Sequence, residues 1–247
     1  MSDVSRETPS TPSEARGAFS QDRLPLAERY AELLATDGVV RGLIGPREAP
    51  RLWERHLLNC AALGEWIPTD ASVCDIGSGA GLPGLVLAIA RPDLEITLVE
   101  PLLRRTTFLL EAVDVLGLAR VEVVRGRAES LHGERRFDVV TSRAVAPLGR
   151  LLDWSMPLVA PEGALVAMKG SSVAEEIAAA RSELARWGCA DPETRVLGSG
   201  LSTTMAVRVT WADPGRVSWP PAVVRTPVKG GGPAARRRRT TNRRHGA

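Results

Sequence analysis

Cysteine and histidine, the residues that build most metal centres, are scarce in this chain. Three of each occur in 247 residues, and Cys60, Cys74 and Cys189 are widely spaced, without a C-x-x-C pair. An odd number of separated cysteines argues against a disulfide framework and against a zinc site. We therefore expect reduced thiols, as in the cytoplasm, and no bound metal.

Long hydrophobic runs are also absent. No apolar segment approaches the roughly 20 residues that a membrane helix needs, and the polar first 20 residues lack the apolar core of a signal peptide. The hydrophobic fraction of 44% and the charged fraction of 25% are ordinary for a globular protein. These features predict a cytoplasmic protein without membrane contact, with one core plus appendages.

Lysine is rare, and the basic charge is concentrated at one end of the chain. Only Lys169 and Lys229 are lysines among 32 basic residues. Residues 212–247 contain nine basic residues and one acid, so they carry +8 while the whole chain carries +3. Four consecutive arginines at 236–239 suit contacts with phosphate, although such a run is often only a solvated tail.

The most informative stretch is 73–84, which reads V-C-D-I-G-S-G-A-G-L-P-G. A short apolar run ends at Asp75, glycines follow at every second residue, and an apolar helical pattern begins at Leu82. These features predict a strand, a tight loop and a helix. Glycine permits positive φ in the loop, and free helix N–H groups face the same spot. We expect a small polar ligand to bind there.

Two cofactors suit this loop. The last three glycines match the dinucleotide pattern G-x-G-x-x-G, which is weak by itself. Gly77 extends the pattern to D-x-G-x-G-x-G, and Asp75 is placed to meet the methionine ammonium of S-adenosylmethionine (SAM). Glu100, after the second predicted strand, can accept both ribose hydroxyls, but a dinucleotide enzyme would also use it. We interpret the loop as a SAM site, with a ligand-free glycine turn as the alternative.

Alternating strand and helix patterns from residue 72 predict a parallel sheet with helices on both faces. Seven strands with a terminal hairpin-like pair indicate a Rossmann-like class I SAM-dependent methyltransferase fold, of class α/β. The predicted strands are 72–76, 95–99, 121–124, 137–141, 164–168, 194–197 and 204–210, and the predicted helices are 82–90, 102–116, 148–158 and 173–187. The predicted parts are a disordered N-terminus (1–20), a helical cap (21–71), the methyltransferase domain (72–211) and a flexible tail (212–247).

Three further motifs join the glycine stretch: W-E-R-H-L-L-N at 53–59, F-D-V-V-T-S-R-A-V-A at 137–146 and A-M-K-G at 167–170. Together they resemble the bacterial 16S rRNA (guanine-N7) methyltransferases, the RsmG/GidB family, over about residues 26–209. The resemblance implies a class I methyltransferase with an N-terminal helical extension that uses SAM. It also implies a guanine in the 530 loop of 16S rRNA as substrate, and hence the small ribosomal subunit or its assembly precursor as partner. We expect a monomer.

The predicted cofactor-binding residues combine the glycine pattern with positions that the resemblance implies. They are Asp75, Gly77, Gly79, Leu82, Glu100, Ala128, Glu129 and Arg143. Glu129 would meet the adenine amino group, with a surface ion pair to Arg127 as the alternative. One departure from the family is the C-terminus, where residues 224–229 only partly match its basic P-x-K-x-P-L pattern. The contribution of the tail to RNA docking is therefore left open.

Guanine N7 already carries a free lone pair, so methyl transfer to it needs no general base. Positioning the reactants can contribute ~7–11 kcal/mol. The predicted catalytic residues are Arg143, Lys169 and His56. Arg143 would hold the methionine carboxylate or an rRNA phosphate, with an ion pair to Asp138 or Glu100 as the alternative. Lys169 follows the fifth strand at the same edge, and His56 is either a substrate-side group or a packed histidine.

Three other functions are compatible with parts of the sequence. The first is a SAM enzyme that acts on a small molecule. The second is a nicotinamide oxidoreductase, which the D-I-G-S-G-A-G stretch and the lack of a catalytic Tyr-Lys or His pair disfavour. The third is a non-enzymatic RNA-binding module in which the tail is the principal element.

Overall fold

The computed structural model describes residues 10–200 and 202–218. Seven strands form one sheet in the order β3-β2-β1-β4-β5-β7-β6. The first five are parallel, and β7 runs antiparallel to both β5 and β6. The predicted seven-stranded sheet with its terminal hairpin is confirmed. The arginine run at 236–239, and with it most of the predicted tail, lies outside the described residues.

The strands are β1 (Ser72–Ile76), β2 (Glu95–Glu100), β3 (Val121–Arg125), β4 (Phe137–Arg143), β5 (Val159–Lys169), β6 (Glu193–Ser199) and β7 (Ser202–Thr210). The α-helices are α1 (Ala15–Ala18), α2 (Leu24–Leu33), α3 (Leu58–Ala62), α4 (Gly84–Ala90), α5 (Leu103–Val115), α6 (Leu148–Ser155), α7 (Val173–Ala179) and α8 (Arg181–Trp187). Wider π-type turns at Leu34–Gly38 and Trp53–Leu57 extend α2 and lead into α3.

The central strands are apolar because helices cover both faces of the sheet. Successive side chains of a strand point to opposite faces. Accordingly, Val73 and Val139 belong to a core shared with α4, α5 and the cap. Cys74 and Val140 belong to the opposite core, with α6, α7 and α8. The sheet therefore holds its carboxyl edge rigidly between two packed layers.

The cap is part of the first core. Tyr30, Leu34 and Leu57 are fully buried together with side chains of β1 and α4. The tyrosine hydroxyl donates a 2.6 Å hydrogen bond to the carbonyl of Ala80, inside the glycine loop. The helical spacing predicted near 25–35 and 53–63 is thus observed, and the cap contacts the ligand loop directly.

The predicted disorder of residues 1–20 is wrong for the described end of that segment. Residues Ala15–Ala18 form a helical turn, and Ala15 and Phe19 are buried. The Phe19 ring packs edge-on against Trp53, with ring centroids 6.3 Å apart. The polar composition of this segment predicted disorder. However, Ala15 and Phe19 are four positions apart, a spacing that places both on one face of a helix.

Two elements differ most from their predicted boundaries. β5 begins at Val159 and not at 164, because residues 159–163 join the strand through an irregularity at which the register with β4 shifts. Gly163 permits this, since an added Cβ would lie 2.6 Å from the carbonyl oxygen of Asp138. The single helix predicted over 173–187 is divided at Ala180, which lies outside helical geometry at φ −93° and ψ 9°.

Two searches of the described part of the chain have negative results. None of its helices is long and apolar enough to cross a membrane. It also contains no group of three or more His, Cys, Asp or Glu side chains arranged to share a metal ion.

Candidate cofactor and substrate site

Three adjoining cavities lie at the carboxyl edge of the parallel strands. We call them the Trp154 cavity (about 370 Å³), the glycine-loop cavity (about 560 Å³) and the cap cavity (about 750 Å³). Val145 lines all three, while His56 and Arg143 line both the glycine-loop and the cap cavity. The cavities therefore form one continuous groove, with the loop after β4 at its centre.

The glycine loop has the geometry that its sequence predicts. Gly77, Gly79 and Gly81 have φ values of 70°, 58° and 96°, in the region that favours glycine. An added Cβ on Gly81 would lie 2.5 Å from Cδ1 of Leu85. The backbone of the loop therefore lines its cavity directly, together with Leu82.

Asp75 is the one predicted site residue that lies outside the lining of the three cavities. It is fully buried, and its Oδ2 accepts a 3.0 Å hydrogen bond from the Gly84 amide at the start of α4. Its Oδ1 is buried without a hydrogen-bond partner among the described residues. Burial raises the pKa of this carboxyl to about 7. The alternation of β1 directs Asp75 toward the α4 face, so its contact here is structural.

Glu100 lies at the end of β2, as predicted, and lines the glycine-loop cavity. Its Oε2 accepts a 3.0 Å hydrogen bond from the Gly79 amide, and its Oε1 accepts one of 3.0 Å from the Leu102 amide. Arg105 is 3.5 Å from Oε2. Backbone donors on two sides therefore hold the carboxylate in one orientation beside the glycine loop.

Ala128 and Glu129 line the Trp154 cavity from the short helical turn Ala128–Leu131. The cavity also has apolar walls from β1 and β2, and Trp154 of α6 closes it. The guanidinium carbon of Arg150 lies 5.3 Å from the Trp154 ring centroid. This narrow, largely apolar space suits a flat heterocycle with a polar edge at Glu129.

Sequence reasoning missed Trp154 and Arg150, although a signal for them exists. They are four residues apart on one helix, so they share a face. It also missed Val145, which belongs to the 137–146 motif quoted above, and Glu48, for which no local pattern was available.

Arg143 ends β4, and its guanidinium donates to three acceptors of the cap. Nη1 lies 3.6 Å from Sγ of Cys60, while Nη2 donates to the Arg55 carbonyl at 3.3 Å and to Nδ1 of His56. The alternative ion pairs with Asp138 and Glu100 are not formed among the described residues. Asp138 instead accepts from Ser72 of β1.

His56 joins Arg143 to a carboxylate. Its Nε2 lies 3.0 Å from Oε2 of Glu48. Burial, and then the positive charge of Arg143, lower the pKa of the imidazole, so the ring is neutral at pH 7. Because Nδ1 accepts from Arg143, the single ring proton is on Nε2 and is donated to Glu48.

Lys169 lines the cap cavity, but its ammonium group is engaged by the protein. Nζ donates to the Ala146 carbonyl at 2.9 Å and to Oε2 of Glu176 at 2.7 Å, and the side chain is only 8% exposed. Glu176 also accepts from the Leu148 amide at 3.0 Å. Lys169 and Glu176 thus fix the loop 144–147, in which Ala144 has the unusual φ of +52°.

Proteins similar in sequence to this chain match it over most of its length. The family model described as rRNA small subunit methyltransferase G matches residues 23–199. A ribosomal RNA small subunit methyltransferase G from a Nocardioides species is 72% identical over 232 residues, covering 93% of this chain and 92% of that protein. The protein of that name from Thermobifida fusca is 53% identical, covering 90% of this chain and 94% of that protein.

Among solved structures, the mitomycin 7-O-methyltransferase MmcR is similar in fold. Its TM-score is 0.54 at 18% sequence identity, covering 74% of this chain and 60% of that chain. At this identity the likeness concerns the fold alone. It agrees with the seven-stranded class I methyltransferase architecture predicted from the alternating strands and helices.

Proposed function

The chain belongs to the rRNA small subunit methyltransferase G family, and from that premise we propose that it methylates N7 of a guanine in the 530 loop of 16S rRNA, using SAM. The observation that carries the proposal is the continuous groove at the carboxyl edge of the sheet. It joins a cavity for a flat heterocycle, a glycine loop and a larger cavity under the cap, and all three meet at Val145.

Three sets of residues in the groove suit the adenine, ribose and methionine portions of SAM. We place the adenine between Ala128 and Trp154, with Glu129 accepting from its amino group. The ribose hydroxyls lie at Glu100, whose carboxylate is already oriented by backbone amides. The methionine portion lies along the backbone of Gly77 and Gly79. When bound, SAM supplies an electrophilic methyl carbon on its sulfonium.

We place the target guanine in the cap cavity, beside the centre of the groove. Its N7 lone pair needs no deprotonation, and the neutral, doubly hydrogen-bonded His56 is consistent with a reaction that has no general base. The chain's part is to hold the two reactants in line and exclude alternative poses, an effect that can reach ~7–11 kcal/mol.

Arg143 is the residue we assign to the junction of the two cavities. Its Nε–H and one N–H of Nη1 have no partner in the described part of the chain. Either of these donors can contact an anion, the methionine carboxylate or an rRNA phosphate. Lys169, by contrast, is assigned to holding the loop 144–147.

We further propose that the enzyme acts in the cytoplasm as a monomer, on the small ribosomal subunit or its assembly precursor. The nicotinamide oxidoreductase and the non-enzymatic RNA-binding module find no support in the family to which the chain belongs.

The test is methyl transfer from labelled SAM to small subunits and to naked 16S rRNA that lack the modification. Mass spectrometry of nuclease fragments should find one 7-methylguanosine, in the 530 loop. Arg143→Ala should reduce the transfer strongly. Labelling of a different base or position by a protein that binds SAM would contradict the proposal.

A further inference from the structure

A carboxylate of the cap is linked to Arg143 through His56. Glu48 lies in the segment between α2 and the Trp53–Leu57 turn, and its side chain is 34% exposed. Oε2 of Glu48 contacts Nε2 of His56 at 3.0 Å, and Nδ1 of His56 accepts from Nη2 of Arg143. The three side chains form a linear chain of hydrogen bonds that ends at the centre of the groove.

Glu48 also supports the second acceptor of the same guanidinium nitrogen. Its Oε1 accepts a 3.0 Å hydrogen bond from Nη1 of Arg55, and the carbonyl of Arg55 accepts from Nη2 of Arg143. Both partners of Arg143 Nη2 are therefore tied to one carboxylate. Glu48 itself has no contact with Arg143 among the hydrogen bonds of the described residues.

Glu48 matters for the position of Arg143 because it selects the tautomer of His56. A neutral imidazole carries its proton on either nitrogen, and only the form with a bare Nδ1 can accept from an arginine. The carboxylate at Nε2 selects that form because it can only accept. Without it, the other tautomer would place an N–H against the guanidinium, and Arg143 would lose its anchor.

We propose that Glu48 is a positioning residue for methyl transfer, which holds Arg143 between the glycine-loop and cap cavities by fixing the tautomer of His56. The proposal rests on the proposed function, in which Arg143 contacts one of the two reactants. It explains why an arginine at the end of β4 is paired with the cap rather than with an acid of the sheet. The helical cap is thereby part of the reaction machinery.

The first experiment compares three variants in methyl transfer to small subunits. Glu48→Leu should lower kcat/KM by up to about 100-fold, the cost of a misplaced positioning group. Glu48→Gln should retain most of the activity, because its amide oxygen still accepts from Nε2–H. The matched control is Glu54→Leu, which removes an exposed cap glutamate paired with Arg51 and should leave kcat/KM unchanged.

A double-mutant cycle separates positioning from a general effect on the cap. If Glu48 acts only through Arg143, then Glu48→Leu should have no further effect on single-turnover rates in the Arg143→Ala background. Multiplicative losses, or a failure of Glu48→Gln to rescue the rate, would overturn the proposal.

The decisive measurement does not depend on activity. In ¹⁵N-histidine-labelled full-length protein, with the signal assigned by His56→Gln, His56 should show a bare Nδ1 and a protonated Nε2. Glu48→Leu should lose this preference while circular dichroism shows an intact fold. A proton on Nδ1 in the wild-type protein would refute the role of Glu48 even if rRNA is methylated. The expected tautomer together with no transfer to rRNA would refute the proposed function alone.

Discussion

Asp75 shows how burial changes the behaviour of one side chain. The carboxyl is enclosed below the glycine loop, with one oxygen on the Gly84 amide and the other without a partner among the described residues. Desolvation disfavours its charged form, and this raises its pKa from 3.8 to about 7. The folded protein therefore binds a proton at this site over a pH range in which the unfolded chain has released it.

The free energy of unfolding therefore depends on pH through Asp75. Since the folded pKa is the higher one, the contribution of Asp75 to the free energy of unfolding falls as the pH rises from about 4 to about 7. The slope is at most about 1.4 kcal/mol per pH unit. Asp75→Asn should flatten this dependence, as measured by urea unfolding at pH 5 and pH 8.

Asp93 offers the matched control for that measurement. Its hydrogen bonds with Arg91 lower its pKa to about 2, so its stabilising contribution is lost only as the pH falls from about 4 toward 2. Asp93→Asn should leave the difference between pH 5 and pH 8 unchanged. An equal difference in wild type and Asp75→Asn would show that Asp75 is ionised throughout this range.

At the scale of elements, the glycine loop leaves no room for an added side chain at Gly81. Gly81 has φ +96°, and an added Cβ would approach Leu85 and the Tyr30 hydroxyl to within 3 Å. Gly81→Ala should weaken S-adenosylhomocysteine binding at least tenfold in calorimetry, because an L residue is strained there and displaces the loop.

Gly17 is the control for this substitution. It lies in α1, and an added Cβ would meet no atom within 4 Å. Gly17→Ala should leave binding unchanged. Wild-type affinity in Gly81→Ala would mean that the ligand does not depend on the conformation of this loop.

The loop between β4 and α6 is a second element whose geometry depends on a side-chain pair. Lys169 holds the Ala146 carbonyl and Glu176, and Glu176 holds the amide of Leu148. Lys169→Met should release the loop and lower kcat/KM for the small subunit by about 10- to 100-fold. Binding of S-adenosylhomocysteine should change much less, because the position we propose for that ligand lies mainly on the other side of Val145.

The comparison for Lys169→Met is Arg208→Met, which breaks a more exposed ion pair with Glu193 between β7 and β6. This pair lies outside the groove, so its loss should leave the kinetics unchanged. If Lys169→Met instead abolished S-adenosylhomocysteine binding and left the KM for rRNA unchanged, the result would show that the loop contributes to cofactor binding and not to rRNA binding.

At the scale of the whole molecule, the basic charge is concentrated near the C-terminal end of the sequence, where it could contribute to binding of the small subunit. Residues 219–247, outside the described residues, contain eight basic residues and no acid. Phosphate contacts made by such a segment weaken with salt, by nearly one power of salt concentration per contact. Ending the chain at residue 218 should therefore reduce the salt dependence of small-subunit binding and leave S-adenosylhomocysteine binding intact. An unchanged salt dependence would show that the basic segment makes no phosphate contacts in the complex with the small subunit.

The cap and the sheet behave as one unit because they share a core and two polar links. Tyr30 reaches the carbonyl of Ala80 in the glycine loop, and His56 reaches Arg143 at the end of β4. The predicted boundary at residue 71 separates two local sequence patterns, whereas the buried side chains continue across it.

The sequence by itself determined the strand–helix alternation, the glycine loop, the family and most of the groove. These depend on residue types at short, regular spacings, which a chain displays locally. Nine of the ten predicted site residues line the groove, and all of these except His56 of the cap lie in the glycine loop, at the end of a strand or in the turn after β3.

Only the tertiary structure decided what those residues contact. The bond between His56 and Arg143 spans 87 positions of the chain, and that between Lys169 and Ala146 spans 23. Such partners depend on how the cap packs on the sheet, on side-chain rotamers and on competition among nearby acceptors. Burial decided the role of Asp75 in the same way, because alternation along β1 turned it away from the groove and under α4.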